Sequence, residues 1–180
     1  MNQHLIIYTD DTENLLVRWA LIDLASKKCI EAGQAGFDDI SSRFKQQGDI
    51  DFHLVISGLN TVFKNVDIPA KTEAQARAAV PYLLEDELAS SPETLHFALG
   101  AVKADGSRRA IVIAQDILTH WLSHIHAAGI KPAGIYVDAD CVHSPQDASI
   151  YQTPDNNFII HVPTHFTGVL DPTTANMIGP

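Results

Sequence analysis

An α/β fold built on a mixed sheet is what this sequence predicts, and three observations carry the prediction. Apolar runs of strand length, His4–Tyr8 and Leu15–Leu24, open the chain as a hairpin pattern. Further on, helical and extended segments alternate, as in Gln115–Ala128 followed by Ala133–Val137. The composition is globular: 180 residues, 46% hydrophobic and 19% charged, enough to bury a core.

Each element follows from its local pattern. His4–Tyr8 is a short apolar strand, and Leu15–Leu24 pairs with it through alternating Val17, Trp19 and Ile22. Lys27–Ala32 reads as a third strand after a polar turn. Phe37–Gln46 sets Ile40 and Phe44 four apart, which makes a short helix. Asp51–Ser57 is a buried strand, Gly58-Leu59-Asn60 a turn, and Thr61–Ile68 a returning strand. Leu95–Leu99 and Ala110–Ala114 are strands joined by the turn Lys103–Ser107. Gln115–Ala128 is an amphipathic helix capped by Gly129. Three strand-like pieces follow, Ala148–Gln152, Asn157–Val162 and His165–Leu170, and Asp171–Pro180 begins a further element. The loop after Asp138 is the expected domain boundary, and no internal sequence repeat is visible.

Residues 68–89, IPAKTEAQARAAVPYLLEDELA, are the least ordinary stretch. Thr72 and Gln75 have capping-box spacing, in which each side chain satisfies the other's free backbone amide. Ala76, Val80, Leu83, Leu84 and Leu88 form an apolar stripe. Pro81 removes one helical hydrogen bond and crowds the Arg77 carbonyl, so a kink or a split into about 72–79 and 82–89 is expected. Glu85, Asp86 and Glu87 span the polar face. They read either as a solvated face or as a docking surface for a basic partner; no neighbour is set to make them acid–base catalysts.

The charge balance limits the partners. With 12 basic and 22 acidic residues the net charge is −10, which repels nucleic acid and anionic membrane surfaces. The basic pairs Lys27–Lys28 and Arg108–Arg109 fall at expected turns and read as solvated charge. No apolar run reaches the ~20 residues of a membrane span, and the N-terminus lacks a signal-peptide pattern. Cys29 and Cys141 are far apart without a CxxC, which suits two buried or idle thiols in a reducing compartment.

No cofactor motif is present. The turn Thr9-Asp10-Asp11-Thr12-Glu13 holds no glycine and three acids, so it cannot cradle a phosphate unaided. Asp138 and Asp140 at another strand end, with Asp10 and Asp11, leave a metal-binding acid cluster as the alternative to plain polar strand ends. His120 and His124 share a helix face and can chelate zinc, but they also border the apolar arc of Ile117, Leu118, Trp121, Leu122 and Ile125, where half-buried histidines commonly sit. GxSxG is absent, and so is any other strong enzyme signature.

The run VISGLNTVFKNVDIPAKTEAQARAAVPYLLEDELASSPETLHFALG, residues 55–100, resembles the cytoplasmic domain of the type II secretion system protein L family. The resemblance lies in Ile68-Pro69-Ala70 leading to Gln75-Ala76-Arg77, Ala79, Pro81, Leu84-Glu85 and Leu88, then His96-Phe97-Ala98. The layout of Ala110–Asp138, ending in AAGIKPAGIYVD, is also similar, and the likeness covers roughly residues 1–170.

The resemblance implies a degenerate actin-like (ribonuclease H-like) fold. Residues 1–143 would be a first subdomain region with segment 61–100 inserted, and residues 144–180 the start of an incomplete second one. It further implies a non-enzymatic scaffold at the cytoplasmic face of the bacterial inner membrane, without a cofactor. That scaffold recruits the secretion ATPase, protein E, through the ATPase's N-terminal domain, and meets other platform proteins and a second copy of itself. Membrane contact would come only through a downstream transmembrane helix that family members carry and this chain lacks. The residues themselves, not the resemblance, make the kinked acidic helix, with Arg77, Glu85, Asp86 and Glu87, the expected part of that partner surface. The alternative is a nucleotide-binding pilus-assembly protein, similar to protein M, with Asp10, Asp11 and Asp138 around a metal–phosphate site.

Overall fold

The computed structural model describes residues 3–9, 15–48, 50–142, 147–163 and 166–178. In chain order it forms β1 (Gln3–Thr9), β2 (Val17–Asp23), β3 (Lys28–Ala35), α1 (Phe37–Phe44) and β4 (Ile50–Ile56). After a 3-10 turn at Gly58–Asn60 come β5 (Thr61–Val66), α2 (Glu73–Leu84), β6 (Leu95–Val102), β7 (Arg108–Ala114) and α3 (Gln115–Ala127). The chain then forms β8 (Gly134–Val137), α4 (Asp138–Cys141), β9 (Ser149–Gln152), β10 (Phe158–Val162), β11 (Phe166–Leu170) and α5 (Pro172–Ile178). It divides into two units, Met1–Gly58 with Thr119–Pro180, and the inserted Leu59–Leu118.

The first unit holds a five-stranded sheet in the order β3-β2-β1-β4-β8. β1, β2 and β3 are an antiparallel meander, and β4 and β8 add parallel strands, so the sheet is mixed. The strand period of two decides what is buried. Leu5, Ile7, Val17, Trp19, Leu21 and Leu54 are in the core, each worth about 1.5–3 kcal/mol of burial. Phe44 of α1 meets Trp19 edge-on at 5.0 Å, and Phe37 meets Trp121 of α3 at 6.2 Å. The Ser41 hydroxyl donates to the Ala128 carbonyl at 2.7 Å, where α3 runs out of backbone donors. Gly129 follows with φ +69, the left-handed cap that its position in the sequence predicts.

A second meander in the same unit, ordered β11-β10-β9, leads into α5, as β1–β3 lead into α1. Topology repeats here although the sequence does not.

The inserted unit is a three-stranded antiparallel sheet, β5-β7-β6, with α2 packed on it. Its core joins Val66, Ile68, Ala76, Val80, Leu84, Ala110 and Val112. Here the structure corrects several expectations. α2 is not split at Pro81 but runs through it as one helix, and a 3-10 turn continues it over Glu85–Glu87. Burying Ala76, Val80 and Leu84 along one i, i+4 ridge outweighs the ~3 kcal/mol that an interior proline costs. Leu83 lies off that ridge and is 48% exposed. The capping box is also shifted. Thr72 Oγ1 accepts the Gln75 amide at 3.2 Å, but Gln75 Oε1 accepts the amide of Lys71, not of Thr72.

Arg108 is not a solvated turn residue. It opens β7 at 7% exposure and donates Nε to the Gly100 carbonyl at 2.9 Å. Glu73 Oε2 lies 2.7 Å from its Nη1. Arg109 sits over the Phe63 ring at 4.8 Å.

Candidate partner-binding surface

The acids stand on the 3-10 turn that follows α2, just beyond Leu84, the last residue of its apolar ridge. Glu85, Asp86 and Glu87 are all exposed. They are not equivalent. Glu87 Oε2 takes a salt bridge from Lys64 Nζ at 2.6 Å, whereas Glu85 and Asp86 have no side-chain partner among the described residues. Within this triplet the free charge therefore falls on two consecutive residues, separated from the exposed Tyr82 and Leu83 by the buried Leu84.

Arg77 is not brought to this cluster. Glu85 lies eight positions further on, about 12 Å along a helix axis. Its Nε donates to Glu73 Oε1 at 3.1 Å, and Glu73 also receives Arg108. The hydrogen bond from Arg108 is the leading reason why the Glu73 carboxyl titrates below the usual glutamate range. So Arg77 belongs to an ion network at the start of α2, and the acids to its end.

A second feature lies wholly in the first unit. One face of the five-stranded sheet carries a mostly apolar cavity of about 750 Å³. Ile6, Val55, Tyr136 and Tyr151 line it, with His4 and His53 as a stacked pair whose Nδ1 and Nε2 lie 2.8 Å apart. Burial, then the neighbouring His4, holds His53 below the ordinary histidine range.

Asp138 also lines that cavity. Its Oδ1 accepts the amides of Gly58 at 2.9 Å and Ala139 at 2.6 Å, and its Oδ2 accepts the Tyr8 hydroxyl at 3.1 Å. Burial raises the carboxyl above the usual aspartate range and raises the Tyr8 phenol as well. Both carboxylate oxygens thus serve protein donors, a structural use rather than a metal-ligand one. Asp10 and Asp11, with the rest of the glycine-free turn after Thr9, lie outside the described residues. Cys141 is exposed as a residue, but its thiol is pushed up to about 11 by desolvation and by Asp138 and Asp140, the wrong direction for a nucleophile. His120 and His124 lie 4.7 Å apart with rings near perpendicular, and His124 stacks on Phe37. Among the described residues no three His, Cys, Asp or Glu side chains are grouped to hold a metal.

A mixed sheet of three antiparallel strands extended by parallel ones, interrupted by an inserted unit and followed by a second meander, is a mixed α/β architecture. The family model for type II secretion system protein L matches residues 5–176, and the chain belongs to that family.

Protein L of Pseudomonas aeruginosa is 36% identical over 77 residues, 43% of this chain and 20% of the relative. That of Pectobacterium carotovorum is 21% identical over 149 residues, 82% and 35% of the two chains. Protein L of Vibrio cholerae is 27% identical over 138 residues, 72% and 32%. The chain thus spans about a third of the length of the last two relatives.

Among solved structures, the cytoplasmic domain of Epsl, an inner-membrane component of the type II secretion system of Vibrio cholerae, superposes with a TM-score of 0.79. Identity is 19%, with 98% of this chain and 74% of that one covered. The PilM-PilN type IV pilus biogenesis complex gives 0.62 at 11% identity, covering 93% and 61%. Among the described residues no helix is long and apolar enough to cross a membrane.

Proposed function

We propose that this chain is the cytoplasmic part of an inner-membrane platform protein of type II secretion, a non-enzymatic scaffold that docks the N-terminal domain of the secretion ATPase. The family match supports the setting. The observation that carries the docking site is the unpaired, exposed Glu85–Asp86 at the end of α2. Glu87, held by its ion pair with Lys64, borders the surface, while Arg77, paired with Glu73 at the start of α2, stands apart from it. Residues 1–143, with 61–100 inserted, are taken as the first actin-like subdomain and 144–180 as the opening of the second. Contacts with other platform proteins and a homodimer belong to the same reading. The commitment of Asp138 to Gly58, Ala139 and Tyr8 disfavours the nucleotide-binding alternative.

The test is calorimetric titration of this chain with the N-terminal domain of the matching ATPase. Saturable binding is expected, with no hydrolysis when Mg-ATP is added to this chain alone. Reversing both free acids, Glu85→Lys with Asp86→Lys, should weaken binding about 10-fold at low salt and much less at high salt, because rim charges are screened. Absence of saturable binding by the wild type overturns the reading.

A further inference from the structure

Helix α2 is too apolar for the surface it occupies. Across Glu73–Leu84 its only charged residues are Glu73 and Arg77, both near its start. One ridge, Ala76, Val80 and Leu84, is buried. On the opposite side Ala74, Ala78 and Tyr82 follow at four-residue spacing, and all three are exposed. Tyr82 is 79% exposed, and Leu83, about 100° round the helix from it, 48%. A helix apolar around its circumference ordinarily lies in an interior. The row Ala74, Ala78 and Tyr82 itself carries no charge, Arg77 at its side being paired with Glu73, and beyond it come Glu85 and Asp86, whose carboxylates have no side-chain partner among the described residues.

We infer that the outer face of α2, anchored by Tyr82 and flanked by the half-exposed Leu83, docks a protein partner whose apolar crevice is bordered by lysine or arginine. The inference rests on the docking reading above and assigns its chemistry. Tyrosine brings a large amphipathic ring with few rotamers to lose, so it is a common energetic centre of interfaces. Glu85 and Asp86 sit at the rim, where charge sets orientation, on-rate and salt dependence more than affinity. Charge complementarity selects the occupant. A second copy of this chain carries the same net charge of −10, and an anionic lipid surface is negative as well, so both are repelled where a basic partner is attracted.

The experiment titrates the whole chain against the N-terminal domain of the secretion ATPase, with Tyr82→Ser, Leu83→Ser and the double variant Glu85→Gln, Asp86→Gln. All four side chains are exposed, so the variants should melt with the wild type. The serine variants are expected to weaken binding about 30-fold or more, largely independent of salt. The neutralised acids should lose about 3- to 10-fold, mainly in association rate, and nothing at high salt. Serine variants that bind like the wild type, while the acid variant loses binding, overturn the apolar anchor and leave the docking reading standing. No binding by the wild type overturns both. Self-association of the wild type in sedimentation, abolished by Tyr82→Ser, assigns the face to a second copy and overturns the basic partner.

Discussion

Tyr8 donates its hydroxyl to Oδ2 of Asp138 across 3.1 Å, tying the end of β1 to the residue that follows β8. Because Oδ1 of the same carboxylate holds the Gly58 and Ala139 amides, removing Asp138 strands three donors. Asp138→Ala should cost about 1–3 kcal/mol in denaturant unfolding, and Asp138→Asn less, since its amide oxygen can keep the two backbone donors. The sign with pH follows from burial. The folded carboxyl titrates above the unfolded one, so the folded state binds more protons across that window, and stability falls as pH rises through it. Asp138→Asn should remove that fall, and an unchanged slope would contradict the assignment.

Gly58 is required by space, not by backbone conformation. A β-carbon there would lie 2.7 Å from a Val169 methyl, 2.8 Å from Asp138 Oδ1 and 3.1 Å from a Val137 methyl. Gly58→Ala is expected to destabilise by about 1–3 kcal/mol through overpacking. Thermal unfolding measures it; wild-type stability would mean that the junction has slack.

Pro81 sits inside a continuous helix whose ridge is buried on both sides of it. Restoring an amide at this position should help the folded state, partly offset by a looser unfolded chain. Pro81→Ala should therefore gain about 1–2 kcal/mol. A large loss would show that the ring itself is packed and needed.

His53 offers a pH test without any ligand. Its folded pKa is depressed by burial and by His4, while Asp51 opposes the shift. The unfolded state then binds more protons between the two values. The contribution is complete above about pH 6.5 and is lost as pH falls through the depressed value. His53→Gln should flatten the acid limb of the stability curve; melting scans from neutral to mildly acidic pH decide it.

Much of the fold is legible in the sequence, because strand and helix periods differ and Gly129 or Thr72 marks a helix end. What stayed hidden had competing signals. Pro81 argues locally against a helix that the Ala76–Val80–Leu84 ridge enforces through tertiary burial. Arg108 looks solvated until Glu73 and Gly100 are folded against it. The cavity beside His4 and His53 left one trace: in HLIIY both alternating faces are apolar, as in a strand that expects cover on either side. The two unpaired acids could not be told from Glu87 by sequence, since only folding brings Lys64 to one of the three.

The placement of the insertion also sets an order of events. β5, α2, β6 and β7 are contiguous in Leu59–Leu118, so this unit can close while the chain is still being made. β4 cannot, because the neighbour on its outer edge is β8, on the far side of the insertion. At ribosomal speeds of about 5–20 residues per second, β4 waits on the order of 4–16 s for that strand to emerge. For that interval Leu54, Val55 and Ile56 lie on a strand without its outer neighbour, the kind of apolar edge that invites pairing with another chain.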